Sequence, residues 1–181
     1  MRVIDTAIFE VKLIEPRVFG DTRGFFLETW NAQVFSDAGL DLRFVQDNHS
    51  RSARNVLRGI HFQIERPQGK LVRVLSGAVF DVAVDLRRSS PTFGKWVGYE
   101  LSAENFRMLW VPPGFGHAFL TLTDQADFAY KCTELYAPAL ERAVRWDDPT
   151  LAIEWPRHAS KPNLSAKDSV APLLGDAEVF A

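Results

Sequence analysis

The sequence has little of what a disulfide framework, a thiolate metal cluster or a membrane span requires. Cys132 is the only cysteine in 181 residues, so an internal disulfide is impossible and a thiolate cluster within one chain is excluded. No window approaches the roughly 20 apolar residues that cross a bilayer, and the N-terminus has no stretch resembling a signal peptide. We therefore expect a soluble, cytoplasmic protein with no membrane partner.

The chain also lacks an excess of charge of one sign. Its 21 basic and 23 acidic residues nearly cancel, and no long basic run is present, which argues against a nucleic-acid partner held by phosphate attraction. A composition that is 46% hydrophobic and 12% aromatic is typical of a globular chain. Residues 1–181 are long enough for one domain with a sizeable core, whose partner is a small molecule or a protein.

Short runs rich in β-branched and aromatic residues dominate the chain, separated by Gly, Pro, Asp and Asn. Their close spacing predicts an all-β sandwich or barrel. Ser76-Gly77 predicts a two-residue hairpin, and Asn31 predicts the N-cap of one early helix ending before Gly39. The segment 156–181 is broken by prolines, and Ser165 predicts the start of a short helical turn. The predicted strands are Ile8 to Ile14, Gly24 to Trp30, Phe44 to Asn48, Val56 to Gln63, Lys70 to Leu75, Ala78 to Leu86, Lys95 to Leu101, Arg107 to Val111, His117 to Leu122 and Phe128 to Leu135.

A second histidine is missing where a metal-binding barrel would carry one. Two strand-like stretches, Arg58–Gln63 and Pro112–His117, each contain a single histidine, and Gln63 stands where a His-x-His pair would end. A metal-dependent cupin using His61, His117 and either Gln63 or Glu65 is one hypothesis. Two histidines with a weak amide or a distant carboxylate make a poor divalent site, which argues against it.

Strand alternation predicts which side chains share a face. His61 lies on one face with Gln63, and Arg58 lies on the other. Lys70, Asp81 and Tyr130 each share a face with small or apolar residues of their own strands.

These three side chains can therefore join His61 and His117 in one pocket. Taken singly, each has a structural alternative: a hydrogen-bonded histidine, a surface lysine, an aspartate at a turn, or a core tyrosine.

Seven ordered segments resemble the dTDP-4-dehydrorhamnose 3,5-epimerase family, and the resemblance runs from about Phe9 to Leu174. It implies a double-stranded β-helix jelly roll of the cupin type with a few short helices, a homodimer, no metal and no cofactor. The C-terminal segment 156–181 must then pack back on the barrel. The segments are Phe19–Glu28, Phe44–Ser50, Arg58–Gln63, Gln68–Val72, Pro112–Phe119, Tyr130–Thr133 and Leu164–Asp168.

The resemblance implies that the substrate is a dTDP-linked 4-keto-6-deoxyglucose, whose carbons 3 and 5 flank a carbonyl. By this resemblance His61 is the base that removes a proton, and Asp168 orients it. Lys70 stabilises the enolate oxygen, and Tyr130 returns a proton from the opposite face. An imidazole suits the role of base because its ordinary pKa is about 6.5.

Binding roles are also implied by the resemblance. Arg23 and Arg58 match positions that hold the diphosphate, which suits guanidinium geometry. Gln63 and His117 are expected to line the sugar pocket. Some N-terminal contacts, including the Arg23 region, come from the partner subunit in this family. The remaining nucleotide and sugar contacts are Phe19, Phe26, Glu28, Gln46 and Asn48.

Double epimerisation, on the route to dTDP-L-rhamnose, is the expected outcome. A relative that inverts only carbon 3 or only carbon 5 would carry the same base and tyrosine. A catalytically silent sugar-nucleotide binding module on the same barrel is the third hypothesis, although the presence of His61, Asp168 and Tyr130 argues against it.

Overall fold

Two antiparallel β-sheets carry most of the regular structure. The computed structural model describes residues 1–156 and 161–181. The strands are β1 (Arg2–Asp5), β2 (Lys12–Glu15), β3 (Val18–Asp21), β4 (Gly24–Leu27), β5 (Gln46–Ala53), β6 (Leu57–Gln63), β7 (Lys70–Ser76), β8 (Ala78–Asp85), β9 (Trp96–Ser102), β10 (Met108–Val111), β11 (Phe115–Thr121), β12 (Gln125–Cys132) and β13 (Glu141–Ala143).

Helical structure is confined to α1 (Ala32–Asp37), α2 (Ala166–Ser169) and a 3-10 turn at Pro138–Leu140 within the described residues. Asn31 caps α1, since its side chain accepts from the backbone N–H groups of Gln33 and Val34. In the same parts of the chain, each helix falls short of the length and apolar character that crossing a membrane demands.

Most consecutive strands alternate between the two sheets, and this winding forms the barrel. The six-stranded sheet has the order β1-β2-β10-β7-β12-β5, and the five-stranded sheet has the order β13-β6-β11-β8-β9. From β5 to β13 the chain passes from one sheet to the other at every connection except the one between β8 and β9. This winding confirms the predicted all-β double-stranded β-helix jelly roll with few, short helices.

The core between the sheets follows the predicted alternation. Val72 and Phe128 of the six-stranded sheet pack in one buried cluster with Val79, Ala83 and Phe119 of the five-stranded sheet. The rings of Phe119 and Phe128 stack with their centroids 4.4 Å apart. Polar side chains at intervening inward positions therefore lie inside the barrel.

The described part of the C-terminal segment, residues 161–181, packs on the outer face of the five-stranded sheet. Leu174 and Ala177 are buried in a cluster with Ile60 and Val84. The Leu174 backbone N–H donates to the Asp148 carboxylate at 2.7 Å. This packing sets α2 beside β6, where the base is predicted.

The predicted hairpin at Ser76-Gly77 is wrong. Strand β7 pairs with β10 and β12, whereas β8 pairs with β9 and β11. Gly77 instead forms a corner between the sheets with φ of 75°, and a Cβ there would lie 2.2 Å from the Gln125 carbonyl oxygen. The Ser-Gly signal does not distinguish a two-residue hairpin from a corner between sheets, because both need a residue with positive φ.

The N-terminal prediction also differs from the structure. Of the predicted strand Ile8 to Ile14, only residues 12–14 form a strand, as part of β2, which pairs with the unpredicted strand β1 so that Val3 lies opposite Ile14. Ile8 and Val11 are buried in the core without being part of a strand. Their apolar character reflects burial in a connecting turn, which strand periodicity does not distinguish.

We expect an acid-dependent loss of stability that depends on Asp85. Burial opposes its ionisation, but hydrogen bonds from Arg87, Ser90 and Thr92 outweigh this and lower the pKa of the carboxyl to about 2. A lowered pKa stabilises the fold above the unfolded-state value near 3.8, and this contribution disappears as the pH falls towards 2. Asp85→Asn should therefore lower the free energy of unfolding at pH 7 by about 2 kcal/mol.

Urea denaturation at stepped pH measures this effect, with Asp124→Asn as control because that aspartate side chain is 95% exposed. The stabilities of wild type and Asp85→Asn should converge near pH 2. A difference that stays constant from pH 7 to pH 2 would contradict the assignment.

Candidate active site

A histidine–carboxylate pair joins the barrel to the C-terminal segment. His61 on β6 donates through Nε2 to Asp168 Oδ1 of α2 at 2.5 Å. Asp168 is 2% exposed, while the His61 side chain is 26% exposed. The Ser165 hydroxyl, as N-cap, accepts from the Asp168 backbone N–H and fixes the start of the helix. The pairing leaves Nδ1 as the basic nitrogen of a neutral His61 ring.

Asp168 is ionised at neutral pH. Burial alone would oppose its charge, but the hydrogen bond and the charge of His61 outweigh burial and lower the pKa of the carboxyl. An ionised carboxylate fixes the ring orientation and stabilises the imidazolium that forms when His61 takes a proton.

A cavity of about 370 Å³ opens beside this pair and is lined by Arg58, His61, Lys167 and Asp168 among others. The sequence prediction placed Arg58 on the face opposite His61, and that prediction is wrong. Phe119 pairs with Arg58 and His117 pairs with His61, so two steps on β11 match three steps on β6. This irregularity shifts the alternation by one residue, so both side chains reach the same cavity.

The barrel interior brings together the other predicted polar residues. His117 lies directly opposite His61 on the paired strand β11 and contacts Asp81 of β8 through Nε2, at 2.9 and 3.1 Å from the two carboxylate oxygens. The Lys70 ammonium lies 5.9 Å from the Tyr130 ring centroid. Asp81 therefore has a side-chain partner in mid-strand, and it does not serve a turn.

Burial shifts the pKa values of both Lys70 and Tyr130. It lowers the pKa of the Lys70 ammonium, while the negative charges of Asp81 and Glu141 oppose that shift. It also raises the pKa of the Tyr130 phenol. The phenol consequently holds its proton at neutral pH and is a proton donor once a negative charge forms nearby.

Three amide side chains extend the site along β5 and β6. Asn48 donates to the Cys132 sulfur at 3.5 Å and accepts from the Gln46 amide at 3.0 Å. Gln63 is 3% exposed and holds a loop, because it donates to the Arg66 and Leu135 carbonyls and accepts from the Ala137 N–H. Gln63 thus stabilises the loops at Arg66 and at residues 135–137, while its contact with the sugar stays a prediction.

The four N-terminal residues predicted to bind substrate lie on or beside the β3–β4 hairpin. Phe19 and Phe26 are 49% and 69% exposed, and the Arg23 side chain is 88% exposed with Asp21 of the same hairpin as its partner. Glu28 accepts from the Asn31 amide at 3.0 Å. The hairpin forms a separate two-stranded sheet, so within the described chain it does not join the barrel strands around His61.

Three further residues near His61 were not predicted. The Tyr136 hydroxyl donates to Glu141 at 2.9 Å, and Lys167 forms an ion pair with the same carboxylate at 2.6 Å. Burial opposes ionisation of Glu141, but Lys167, Tyr136 and the charge of His61 lower the pKa of its carboxyl. Strand β13, which places Glu141 opposite Gln63, is only three residues long and gives no period-two signal.

The described residues do not gather the set of ligands that a metal-dependent cupin would require. Across residues 1–156 and 161–181, no group of three His, Cys, Asp or Glu side chains is placed to hold a metal ion. The Nε2 atoms of His61 and His117 each bind a separate carboxylate. The absence of a metal requirement stays a prediction, to be tested by metal analysis.

The chemistry that this arrangement supports is proton transfer at a carbon acid. A base with an orienting carboxylate lies at the cavity, and a desolvated ammonium and a neutral phenol lie inside the adjoining barrel. These are the groups that can remove a proton, stabilise an oxyanion and donate a proton. Arg58 and Lys167 add positive charge at the cavity, which suits an anionic group on the substrate.

Comparisons with known proteins agree with this chemistry. A family model described as dTDP-4-dehydrorhamnose 3,5-epimerase matches residues 5–176. The curated enzyme of that name from Salmonella typhimurium is 57% identical over 98% of this chain and 97% of its own, and the Pseudomonas aeruginosa enzyme is 56% identical over 99% of each chain.

The solved structures agree as well. A crystal structure of the 3,5-epimerase from Legionella pneumophila, in complex with dTDP-4-keto-L-rhamnose, has a TM-score of 0.94 and 53% identity, and covers 97% of this chain and 93% of its own. Because the family model and these relatives span nearly all of the sequence, the chain belongs to the dTDP-4-dehydrorhamnose 3,5-epimerase family.

Proposed function

We propose that the chain epimerises dTDP-4-dehydro-6-deoxy-D-glucose at carbons 3 and 5, giving dTDP-4-dehydro-L-rhamnose for dTDP-L-rhamnose synthesis. The observation that carries the proposal is the His61–Asp168 pair at the cavity, with Lys70 and Tyr130 inside the adjoining barrel. The names of the relatives support the same reaction.

In the proposed mechanism, Nδ1 of His61 removes the proton from a carbon beside the ketone. The electron pair of the broken C–H bond moves to the carbonyl oxygen, and the Lys70 ammonium stabilises the resulting enolate. Tyr130 then donates its phenolic proton to the opposite face of the same carbon, which inverts the centre. The proton on His61 and the proton missing from Tyr130 are exchanged with solvent before the second centre reacts.

We assign substrate binding to the residues around this region. Arg58 is held towards β5 by Ser52 and the Arg51 carbonyl, at 3.0 and 3.3 Å, and offers its guanidinium to the diphosphate. Gln46 and Asn48 offer amides to the nucleotide sugar, and His117 positions the sugar ring from inside the barrel.

We also propose that two copies form a dimer in which each β3–β4 hairpin completes the partner's site. Phe19, Phe25 and Phe26 expose their rings on this hairpin, which would be unfavourable on a free surface. Strand β5 is an edge of the six-stranded sheet and is therefore open to an added strand. In this proposal residues 1–181 act as one domain. The cytoplasmic location of the protein stays a prediction.

Mixed dimers test the shared site. Arg23→Glu should weaken diphosphate binding, and His61→Ala should remove the base, so neither variant alone should turn over a low substrate concentration. If the two residues act from different chains, random mixing restores about a quarter of wild-type activity, because half of the dimers carry one intact site. Mixing that restores no activity, although mixed dimers are isolated by paired affinity tags, would place Arg23 at its own chain's site.

The proposed function itself is tested by identifying the product. Purified protein incubated with dTDP-4-dehydro-6-deoxy-D-glucose should yield dTDP-4-dehydro-L-rhamnose by NMR, before and after treatment with a chelator. Loss of turnover on chelation, restored by one divalent metal, would favour the metal-dependent cupin. Tight substrate binding without turnover would favour the silent binding module, and inversion at one carbon would identify a single-position epimerase.

A further inference from the structure

A second histidine–carboxylate pair lies inside the barrel, and its carboxylate, Asp81, has no role in the mechanism above. Asp81 is 0% exposed, and both of its carboxylate oxygens lie within 3.1 Å of His117 Nε2. His117 in turn lies directly opposite His61 on the neighbouring strand. Two histidines on adjacent strands are thus each paired with an aspartate, His61 at the cavity and His117 buried behind it.

We propose that Asp81 is a positioning residue for the epimerisation: it fixes the orientation of His117 and keeps Lys70 protonated beside the enolate oxygen. This inference rests on the proposed function, since both effects act on the region where the enolate forms. Asp81 does not need to touch the substrate, because it acts through His117 and Lys70.

Packing alone does not account for a carboxylate at this position. Asp81 lies in the middle of β8 between the inward-facing Val79 and Ala83, where an apolar residue would complete the core. A buried charge is costly unless it is paired. The Nε2–H of His117 supplies that pairing, and the orientation it imposes leaves Nδ1 to accept a hydrogen bond from a substrate hydroxyl.

The second effect is electrostatic and depends on every charged or titratable group that faces Lys70. These are Cys132 and Tyr130 of β12, Asp81 of β8 with its partner His117 of β11, and Glu141 of β13. Burial raises the pKa of the Cys132 thiol and of the Tyr130 phenol, so both are neutral near pH 7.

Burial raises the pKa of the Asp81 carboxyl, whereas its contact with His117 and the charge of Lys70 oppose that shift. Because the Nε2–H of His117 pairs with both carboxylate oxygens, we infer that Asp81, like Glu141, carries a negative charge. Each raises the pKa of the Lys70 ammonium, against the larger effect of burial, which lowers it. Loss of the Asp81 charge would therefore let Lys70 release its proton at lower pH, and a neutral amine cannot stabilise the enolate as a cation does.

Asp81→Asn tests the proposal because it removes the charge while keeping the shape and an oxygen that accepts from His117. We expect kcat to fall by roughly tenfold, which is less than the roughly 10²- to 10³-fold loss caused by deleting an oxyanion donor itself. KM should change little. The alkaline limb of the kcat profile should move to lower pH, which a purely structural defect would not produce.

The matched control is Asp127→Asn. Asp127 is also a strand carboxylate that pairs with a histidine, His49, at 3.0 Å, but its strand neighbour Phe128 is the residue that faces the barrel interior. The alkaline limb of the kcat profile of Asp127→Asn should coincide with that of the wild type. If Asp81→Asn melts well below the wild type, the same profile is measured on Asp81→Ser, which removes the charge without adding volume.

The outcomes separate this inference from the function on which it rests. A wild-type protein that gives no epimerised product defeats the proposed function. An active wild type whose kcat and alkaline limb are both unchanged by a folded, neutral substitution at position 81 overturns the role of Asp81 and leaves the function intact.

Discussion

Replacing His61 with alanine is expected to lower kcat for epimerisation by roughly 10²- to 10⁴-fold, the range that a general base contributes. Exchange of substrate protons with solvent should fall in parallel, because the same imidazole removes the proton in the first step. The loss should appear in kcat more than in KM, since Arg58 and the other binding groups remain.

The control for this substitution is His49→Ala. His49 also pairs with an aspartate, Asp127, at 3.0 Å, but its side chain is 56% exposed and lies outside the cavity that contains His61. Its removal should leave kcat close to the wild-type value. Solvent exchange at the wild-type rate in folded His61→Ala would show that another group is the base.

Tyr130→Phe is expected to separate proton removal from inversion. Without the phenol no acid stands on the opposite face, so product formation should fall by roughly 10²- to 10⁴-fold. His61 can still remove a proton and return one to the same face. Substrate recovered from deuterated water should therefore carry deuterium with unchanged configuration, as seen by mass spectrometry and NMR.

Tyr99→Phe is the matched control, since Tyr99 packs partly buried against the barrel core from β9. It should keep both exchange and product formation. If Tyr130→Phe lost exchange and product formation to the same extent, the phenol would be required for proton removal and the division of roles would be wrong.

Strand alternation placed the interior residues correctly where the strands are regular. Lys70, Asp81 and Tyr130 were each predicted to share a face with apolar neighbours, and most of those neighbours belong to the core between the sheets. A period of two is a property of the extended backbone itself, so it can be recognised in one sequence. Arg58 was placed on the wrong face because β6 has one extra residue in its irregular pairing with β11 near Ala118. No sequence pattern predicts this extra residue.

Strand alternation alone could not predict contacts between segments that are distant in sequence. The approach of Asp168 to His61 spans 107 positions and depends on the C-terminal segment packing on the five-stranded sheet. Only the family resemblance indicated it.

Other pairings had no signal at all in the sequence. The hydrogen bonds of Gln63 to a loop and those of Glu141 to Tyr136 and Lys167 arise from tertiary packing. The corner at Gly77 was mistaken for a hairpin for a related reason, since sheet membership is decided by long-range pairing.

The central claim is that one base and one acid invert two carbons through enolates, and deuterium incorporation tests it most directly. Wild-type protein is incubated with dTDP-4-dehydro-6-deoxy-D-glucose in deuterated water, and the label in the product is located by NMR. The account predicts deuterium at both carbon 3 and carbon 5 of an inverted product. Label at only one of these carbons would contradict double epimerisation, and a product without label would contradict proton transfer with solvent altogether.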